Sequence, residues 1–349
     1  MPTSLSVTAA DAPGTGWQEL ADRRGLFYHQ PRWIAALAGI FRLRPVYLEA
    51  RRGDEVVGIL PLLEVPALLG PRRLVSLPFS YAAGPVANDD ETAERLAGEA
   101  LTYASNRRIS RVEIKQVAPA APAPSGFHRV QHYSVYRIPA EGGEADVWQR
   151  LHPGSTRRSI RKAERAGVTV AREQSADAWT AMAELEERTA HKHGLPAPPR
   201  RFFLGACRDL QQHGLSQLYL ARLPDGKIAA GIVVWTGPRD WIYGFGASDP
   251  ATLAARPNHL LIWTALRDAI AAERGFDLGR AAPEQTGLVE FKVRWGGQPI
   301  PLAYDYWPAP GGLNVASRDR GSLALAARIW SRLPLPVARA GSVLYRYLG

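Results

Sequence analysis

At 349 residues the chain exceeds what one hydrophobic core usually supports, roughly 250–300 residues, so two domains are expected. An apolar content of 46% excludes a disordered chain, and a single cysteine, Cys207, excludes an internal disulfide framework and a cysteine-built zinc site. The net charge of +10 favours anionic partners, nucleotide phosphates, tRNA, a pyrophosphate-linked precursor or an acidic membrane surface; the alternative is an arginine- and alanine-rich chain that is basic without binding any of these.

The chain opens with MPTSLSVTAADAPG, which lacks the basic start and apolar run of a signal peptide. The apolar stretches 59–69 and 228–235 are too short to span a bilayer. A cytoplasmic protein is expected. In chain order, a strand at 5–9 precedes helices at 17–24 and 31–40, the second with Pro31 in its first turn. Strands 46–51 and 56–63 form a hairpin around Arg52-Gly53-Asp54. Extended pieces at 73–77 and 81–87 are broken by Pro78 and Pro85. Asn88 or Asp89 caps a helix to about Arg107, with Leu96, Ala100 and Tyr103 at helical spacing. A strand at 112–115, a Pro/Ala linker at 118–126 and a strand at 129–138 follow.

The order then starts again. A basic helix at 153–167 leads to a strand at 168–172 and helices at 176–191 and 199–213. Strands at 217–222 and 227–236 flank Pro224-Asp225-Gly226, and a strand at 240–247 follows. A helix at 258–274 and a strand at 276–279 lead into a loop and a short helix, and 300–306 is the last strand. YLEARRGDEVVG (47–58) aligns with YLARLPDGKIAAG (219–231), and RVEIK (111–115) with FDLGR (276–280). This order resembles that of a GNAT-type acyltransferase domain, written twice. The fold class expected is α/β: tandem GNAT-like domains, each a twisted, mostly antiparallel sheet flanked by helices. Their spans are 1–140, 141–308 and a basic amphipathic tail, 309–349. The first copy has the linker where the second has its last helix, so the second is the expected chemical half.

That last helix lies in FDLGRAAPEQTGLVEFKVRWGG (276–297). Spacing puts Leu288, Phe291 and Trp295 on one face with Lys292 at its border. A lysine against aromatic packing is a candidate for a perturbed amine, and a snorkelling surface lysine is the ordinary alternative.

FYHQPRWIAAL, GILPLLEV, LVSLPFSYAAGPVAND, HPGSTRRSIRKAERAGV and the 276–297 segment together resemble the FemABX group of acyltransferases, from about residue 27 to 307. That group has paired GNAT-like domains and includes the aminoacyltransferases that build peptidoglycan cross-bridges. The same segments also resemble the sugar-pathway and cellulose-associated acetyltransferase-like branch. The resemblance implies catalytic roles for Phe291 and Lys292. Attack of an amine on an ester builds an oxyanion and releases a proton, and a lysine ammonium stabilises the one or protonates the leaving oxygen. Asp277 is expected to orient a polar partner, and Arg280 flanks the same strand end; a structural ion pair between them is the alternative.

Substrate contacts are expected from Tyr243, Gly244 and Gly246 on the strand WIYGFGA, where glycines weaken a strand unless something approaches closely; a plain bulge is the competing account. Arg157, Arg161 and Arg165 are spaced i, i+4, i+8 with Arg158 and Lys162 beside them, a stripe suited to phosphate or RNA, or to a solvated helix face. The turn AARPNHLL lacks the glycines of a pyrophosphate-cradling loop, and Pro257 removes an amide. This favours an aminoacyl-tRNA co-substrate over acyl-CoA, with no tightly bound cofactor. Tyr81 and Gly84 face the acceptor by resemblance only. His191, Lys192 and His193 end a helix as its dipole favours, and no metal site is expected.

The tail from 312 carries Trp330 and a Leu/Pro break at 333–336 between two short amphipathic helices. Peripheral contact with the inner face of an anionic membrane and docking on the protein itself both stay open. The resemblance implies transfer of an aminoacyl or acyl group to an amine of a phosphate-bearing envelope precursor. The alternatives are an acyl-CoA-dependent acetyltransferase in polysaccharide or amino-sugar synthesis, and a non-catalytic GNAT-pair scaffold.

Overall fold

The structure is a computed structural model that describes residues 4–67, 71–118, 123–308, 328 and 330–347. The chain divides into two compact units. The first takes its described residues from 1–134, 300–318 and 346–349, the second from 135–299 and 319–345. Among the described residues no helix is long and apolar enough to cross a membrane.

In the first unit β1 (Leu5–Ala10), β2 (Arg44–Arg52), β3 (Glu55–Val65), β4 (Arg73–Val75), β6 (Arg111–Val117) and β14 (Gln298–Trp307) lie in that order across one sheet. Two short strands join it at the side: β5 (Val86–Ala87) on β3 and β7 (His128–Val130) on β14. Only β4–β6 is parallel among the pairings described here. Helices α1 (Trp17–Arg24), α2 (Pro31–Phe41) and α3 (Asp90–Asn106) flank the sheet. The side chain of Asp89 caps α3 by accepting from the Thr92 N–H at 2.8 Å. Leu96, Ala97, Ala100 and Ala104 of α3 then bury against Val46, Leu48, Leu60, Leu62 and Ile114, an α-helical stripe on an apolar sheet face. β14 pairs from Leu302 opposite Val117 to Trp307 opposite Val112. Its Asp305 is fully buried, clamped by Arg129 and Gln116 at 2.7 Å each. Of the linker at 118–126, residues 119–122 lie outside the described residues.

The second unit contains β8 (Ser134–Ile138), α4 (Gly143–Arg150), α5 (Arg158–Arg165), β9 (Thr169–Glu173), α6 (Ala176–Lys192) and α7 (Arg208–Gln212). β10 (Ser216–Arg222), β11 (Ile228–Thr236), β12 (Asp240–Ser248), α8 (Pro257–Ala271), β13 (Gly275–Ala281) and α9 (Thr286–Arg294) complete it. The sheet runs β8-β13-β12-β11-β10-β9. Two helices expected to be uniform instead open with π-helical turns, Pro153–Arg157 and Phe202–Cys207. The first is tied down by the Thr156 hydroxyl and the His152 N–H, both donating to the Arg294 carbonyl at 2.9 Å. Leu261, Ile262, Ala265, Leu266 and Ala269 of α8 pack with Ile232, Val234, Phe276 and Trp295 in the main core.

The feature that matters for the site is where the sheet opens. β12 and β13 are parallel neighbours, yet they pair only from Asp240/Gly275 to Ile242/Asp277. Beyond that point the two no longer pair with each other: β12 stays on β11 through a bulge at Gly244, and β13 runs on through Gly279, whose φ of 79° suits glycine. Of the tail, 309–327, 329 and 348–349 lie outside the described residues, while α10 (Leu335–Ala340) packs on α6. Arg339 reaches Glu187 at 2.9 Å and His191 meets the Leu333 carbonyl at 2.8 Å.

Candidate active site

Where β12 and β13 part, a cavity of about 300 Å³ opens, with mostly apolar walls. Tyr243 comes from β12, Leu278 from β13, and Leu288, Phe291 and Lys292 from α9; Pro257, Asn258, His259 and Ile262 come from the start of α8. Lys292 is 3% exposed. Its ammonium donates to the carbonyls of Gly279 and Arg280, each at 2.7 Å, and lies 5.5 Å from the centre of the Tyr136 ring. An ammonium has three N–H donors, so one remains for the cavity that Lys292 lines. Burial pulls the amine down to about 8; the Asp277 charge opposes this and the Arg280 charge adds to it.

The turn that supplies those carbonyls is built by two residues. Gly279 adopts its positive φ, which aims its carbonyl at the ammonium; a Cβ there would lie 3.9 Å from Nζ. Asp277, 7% exposed, accepts the Gly279 N–H at 2.7 Å and so fixes the turn. The Arg280 side chain is exposed, and its contact with Lys292 is through the backbone.

The aromatic stripe is present, with different weights than its spacing implies. Trp295 is fully buried, Phe291 is half-buried, and Leu288 is 39% exposed at the cavity wall. His259 stacks on Trp295 at 5.9 Å and meets Phe291 edge-on at 6.0 Å. Burial and the Arg256 charge pull the imidazole down to about 4, so it is neutral at ordinary pH.

Of the remaining candidates, Tyr243 lines the cavity and its hydroxyl is pushed up by burial. The two glycines have structural reasons to be glycine: a Cβ at Gly246 would strike the Tyr243 hydroxyl, and one at Gly244 the Trp235 indole. Gly244 is the extra residue of the bulge. Arg158, Arg161 and Lys162 are exposed on α5 of the same unit and are not among the residues lining the cavity; Arg161 lies over the Trp148 ring at 5.6 Å. Tyr81 belongs to the first unit, 8% exposed and edge-on to Tyr28 at 5.1 Å. Sequence reasoning missed His259 and Tyr136. His259 carried one usable signal, its place in the first turn of a helix opening on Pro257.

Residues 153–292 match the acetyltransferase (GNAT) domain family. The matched span runs from the π-helical turn before α5 to Lys292. Solved structures share the fold of the longer chain. FemX has a TM-score of 0.70 at 15% identity, over 85% of this chain and 96% of that one. The C-terminal domain (DUF2156) of a putative lysylphosphatidylglycerol synthetase from Agrobacterium fabrum has 0.57 at 15%, over 89% and 92%. A tandem GNAT protein from the clavulanic acid biosynthesis pathway has 0.52 at 12%, over 87% and 98%. A search of the curated proteins gives no match. The fold is thus that of paired GNAT-like domains, and the cavity with Lys292 lies in the part that matches the acetyltransferase (GNAT) domain.

Proposed function

We propose that the protein is an N-acyltransferase that moves an aminoacyl or acyl group from an ester or thioester donor to an amine of a phosphate-bearing cell-envelope precursor. The observation that carries this reading is Lys292, a dehydrated ammonium held by two carbonyls with one donor left for a largely apolar cavity. Such a group does in a dry site what it cannot do in water: it stabilises the oxyanion of the tetrahedral intermediate and protonates the departing oxygen or sulfur. An amine pulled down to about 8 gives up its proton readily near neutral pH. Phe291 walls the cavity beside it, and Asp277 acts through the Gly279 turn.

For the donor, aminoacyl-tRNA is favoured over acyl-CoA. Pro257 opens α8 without an amide N–H and no glycine precedes it, so the backbone cradle for a pyrophosphate is weakened. Acyl-CoA is the second reading, supported by the match to the acetyltransferase domain and by a cavity that reaches the start of α8. The test is label transfer to an amine acceptor from charged tRNA and, separately, from acetyl-CoA. Transfer from charged tRNA is expected. CoA binding and acetyl transfer without any tRNA dependence would overturn the donor preference, and no transfer from either donor would overturn the reading itself.

A further inference from the structure

The walls of the Lys292 cavity bear on which group enters it. Ile262 and Leu278 are buried in its wall and Phe291 is half-buried. Two further leucines on the same wall stand open to water. Leu253, in the 3₁₀ turn Pro250–Ala255 before α8, is 41% exposed, and Leu288 of α9 is 39% exposed. They are two of the six large apolar side chains left exposed among the described residues. Single exposed leucines need no explanation, but a pair on one apolar cavity is a surface that a ligand covers.

The polar groups on that wall are neutral or positive. Lys292 has one N–H to offer, and Arg256, at a φ of 59° before α8, is exposed and forms no ion pair among the described residues. Asn258 is an amide, His259 is neutral, and burial keeps the Tyr243 hydroxyl protonated. No aspartate or glutamate lines the cavity, and Asp277 accepts the Gly279 N–H instead. A side-chain ammonium entering here meets two cations and no acid. Entering uncharged at about pH 7 costs an alkylamine of pKa about 10.4 more than about 10³-fold in affinity. An α-amine, at about 7.7–8.0, loses only about tenfold, so an aminoacyl group is admitted and a lysyl side chain is not.

Size gives the other limit. At about 300 Å³ the cavity has about twice the volume of an apolar cavity of roughly 150 Å³ that takes up benzene. A glycyl or alanyl group would leave most of this space to water and both leucines uncovered. We propose that the transferred group is large and apolar with no side-chain charge: a branched aliphatic or aromatic acyl group of leucyl or phenylalanyl size, covered by Leu253, Leu278, Leu288 and Phe291. As the acceptor nitrogen bonds to the carbonyl carbon, the bond to the carrier oxygen or sulfur breaks, and one proton of the nitrogen ends on that leaving atom.

This rests on the acyl-transfer reading and holds for either carrier, so the experiment fixes the carrier and varies the acyl group. One tRNA is charged chemically with leucine, phenylalanine, alanine or lysine. A parallel series uses 4-methylpentanoyl-, 3-phenylpropanoyl-, propanoyl- and 6-aminohexanoyl-CoA. On the carrier that supports transfer, kcat/KM should be about 10- to 10²-fold higher for the two large apolar groups than for the small one, with the cationic group lowest. Equal values across the series, or a preference for the small or the cationic group, would overturn the proposal. Leu253→Ser combined with Leu288→Ser should lower the large-to-small ratio about five- to tenfold at wild-type Tm, since both side chains are exposed. An unchanged ratio would count equally against it. Independently of turnover, calorimetry should show 4-methylpentanamide and 3-phenylpropanamide binding at least about tenfold more tightly than propanamide or 6-aminohexanamide, with a negative heat-capacity change. Equal binding of the four would overturn the apolar site. Absence of transfer from every donor would instead count against the acyl-transfer reading, with the amides still deciding the site.

Discussion

Each unit buries one lysine, and the two are buried differently. In the first, Lys115 on β6 is 6% exposed with its ammonium 3.9 Å from the Glu113 carboxylate. In the second, Lys292 is 3% exposed and forms no ion pair among the described residues; two neutral carbonyls hold it. A countercharge inside the fold offsets much of the cost of burying a cation. Neutral carbonyls offset less, which leaves the amine pulled down and the charge available to a substrate. The contrast separates a structural lysine from a chemical one. Lys292→Met should therefore lower the single-turnover transfer rate by about 10³-fold, or ~4 kcal/mol, with the fold intact by circular dichroism. Lys115→Met should leave that rate within about two-fold and lower Tm instead. Equal kinetic losses in the two variants would break the distinction.

The first unit invests its buried charge in architecture, and Asp305 is the strongest instance. It is fully buried, with Arg129 bidentate at 2.7 and 2.8 Å and Gln116 at 2.7 Å, and it ties β14 to β7 and β6. Asp305→Ala strands the Arg129 guanidinium and is expected to cost about 3 kcal/mol in urea unfolding, without a change in kcat for the molecules that remain folded. A loss of kcat with unchanged stability would mean that the first unit contributes chemistry after all.

Much of this contrast was legible before any coordinates. The repeat showed that only the second half carries a helix after RVEIK or FDLGR, and the stripe around Lys292 put aromatic residues beside it. Asp89 as a cap, the hairpin turn at Gly53 and Pro31 in a first turn follow from local backbone chemistry, which a sequence states directly. What was not legible depends on partners distant in the chain. Tyr136 reaches Lys292 from β8, and His259 joins Phe291 and Trp295 from α8. The bulge at Gly244 owes its glycine to Trp235 on the neighbouring strand. The pairing of β14 with β6 is a matter of register, which alternation alone does not assign.

The pH dependence sharpens the account of Lys292. Its folded pKa of about 8 lies below the ordinary lysine value of 10.5. Between those values the unfolded chain keeps a proton that the folded chain has released. Unfolding then takes up a proton, so this group's contribution to stability rises with pH across the window. Below 8 both states are protonated and the full penalty of the buried charge applies, up to about 3 kcal/mol. The difference in unfolding free energy between Lys292→Met and wild type should shrink in favour of wild type from pH 8 to 10. Transfer should fall over the lower part of the same range as the ammonium is lost. A pH-independent difference would show that the ammonium is not destabilised.

The smallest expected effect concerns surface charge, where the two units again differ. In the first, arginines are matched with acids: Arg44 with Asp11, Arg52 with Asp89 and Glu91, Arg72 and Arg107 with Glu64. On α5 of the second, Arg158, Arg161, Lys162 and Arg165 are exposed without an ion pair among the described residues. Unmatched cations on one helix face form a surface that an anionic chain can neutralise, and each phosphate contact releases counterions. Replacing Arg158 and Lys162 by glutamate should raise KM for the phosphate-bearing substrate by several-fold, less than ~1.5 kcal/mol, with kcat unchanged. The decisive sign is the salt dependence: the slope of log KM against log salt should flatten by about one to two units in the double variant. The same exchange at Arg44 should leave both KM and its salt slope unchanged. A KM that ignores the α5 substitutions would make that face simply solvated, and the contrast between the units would then reside in Lys292 alone.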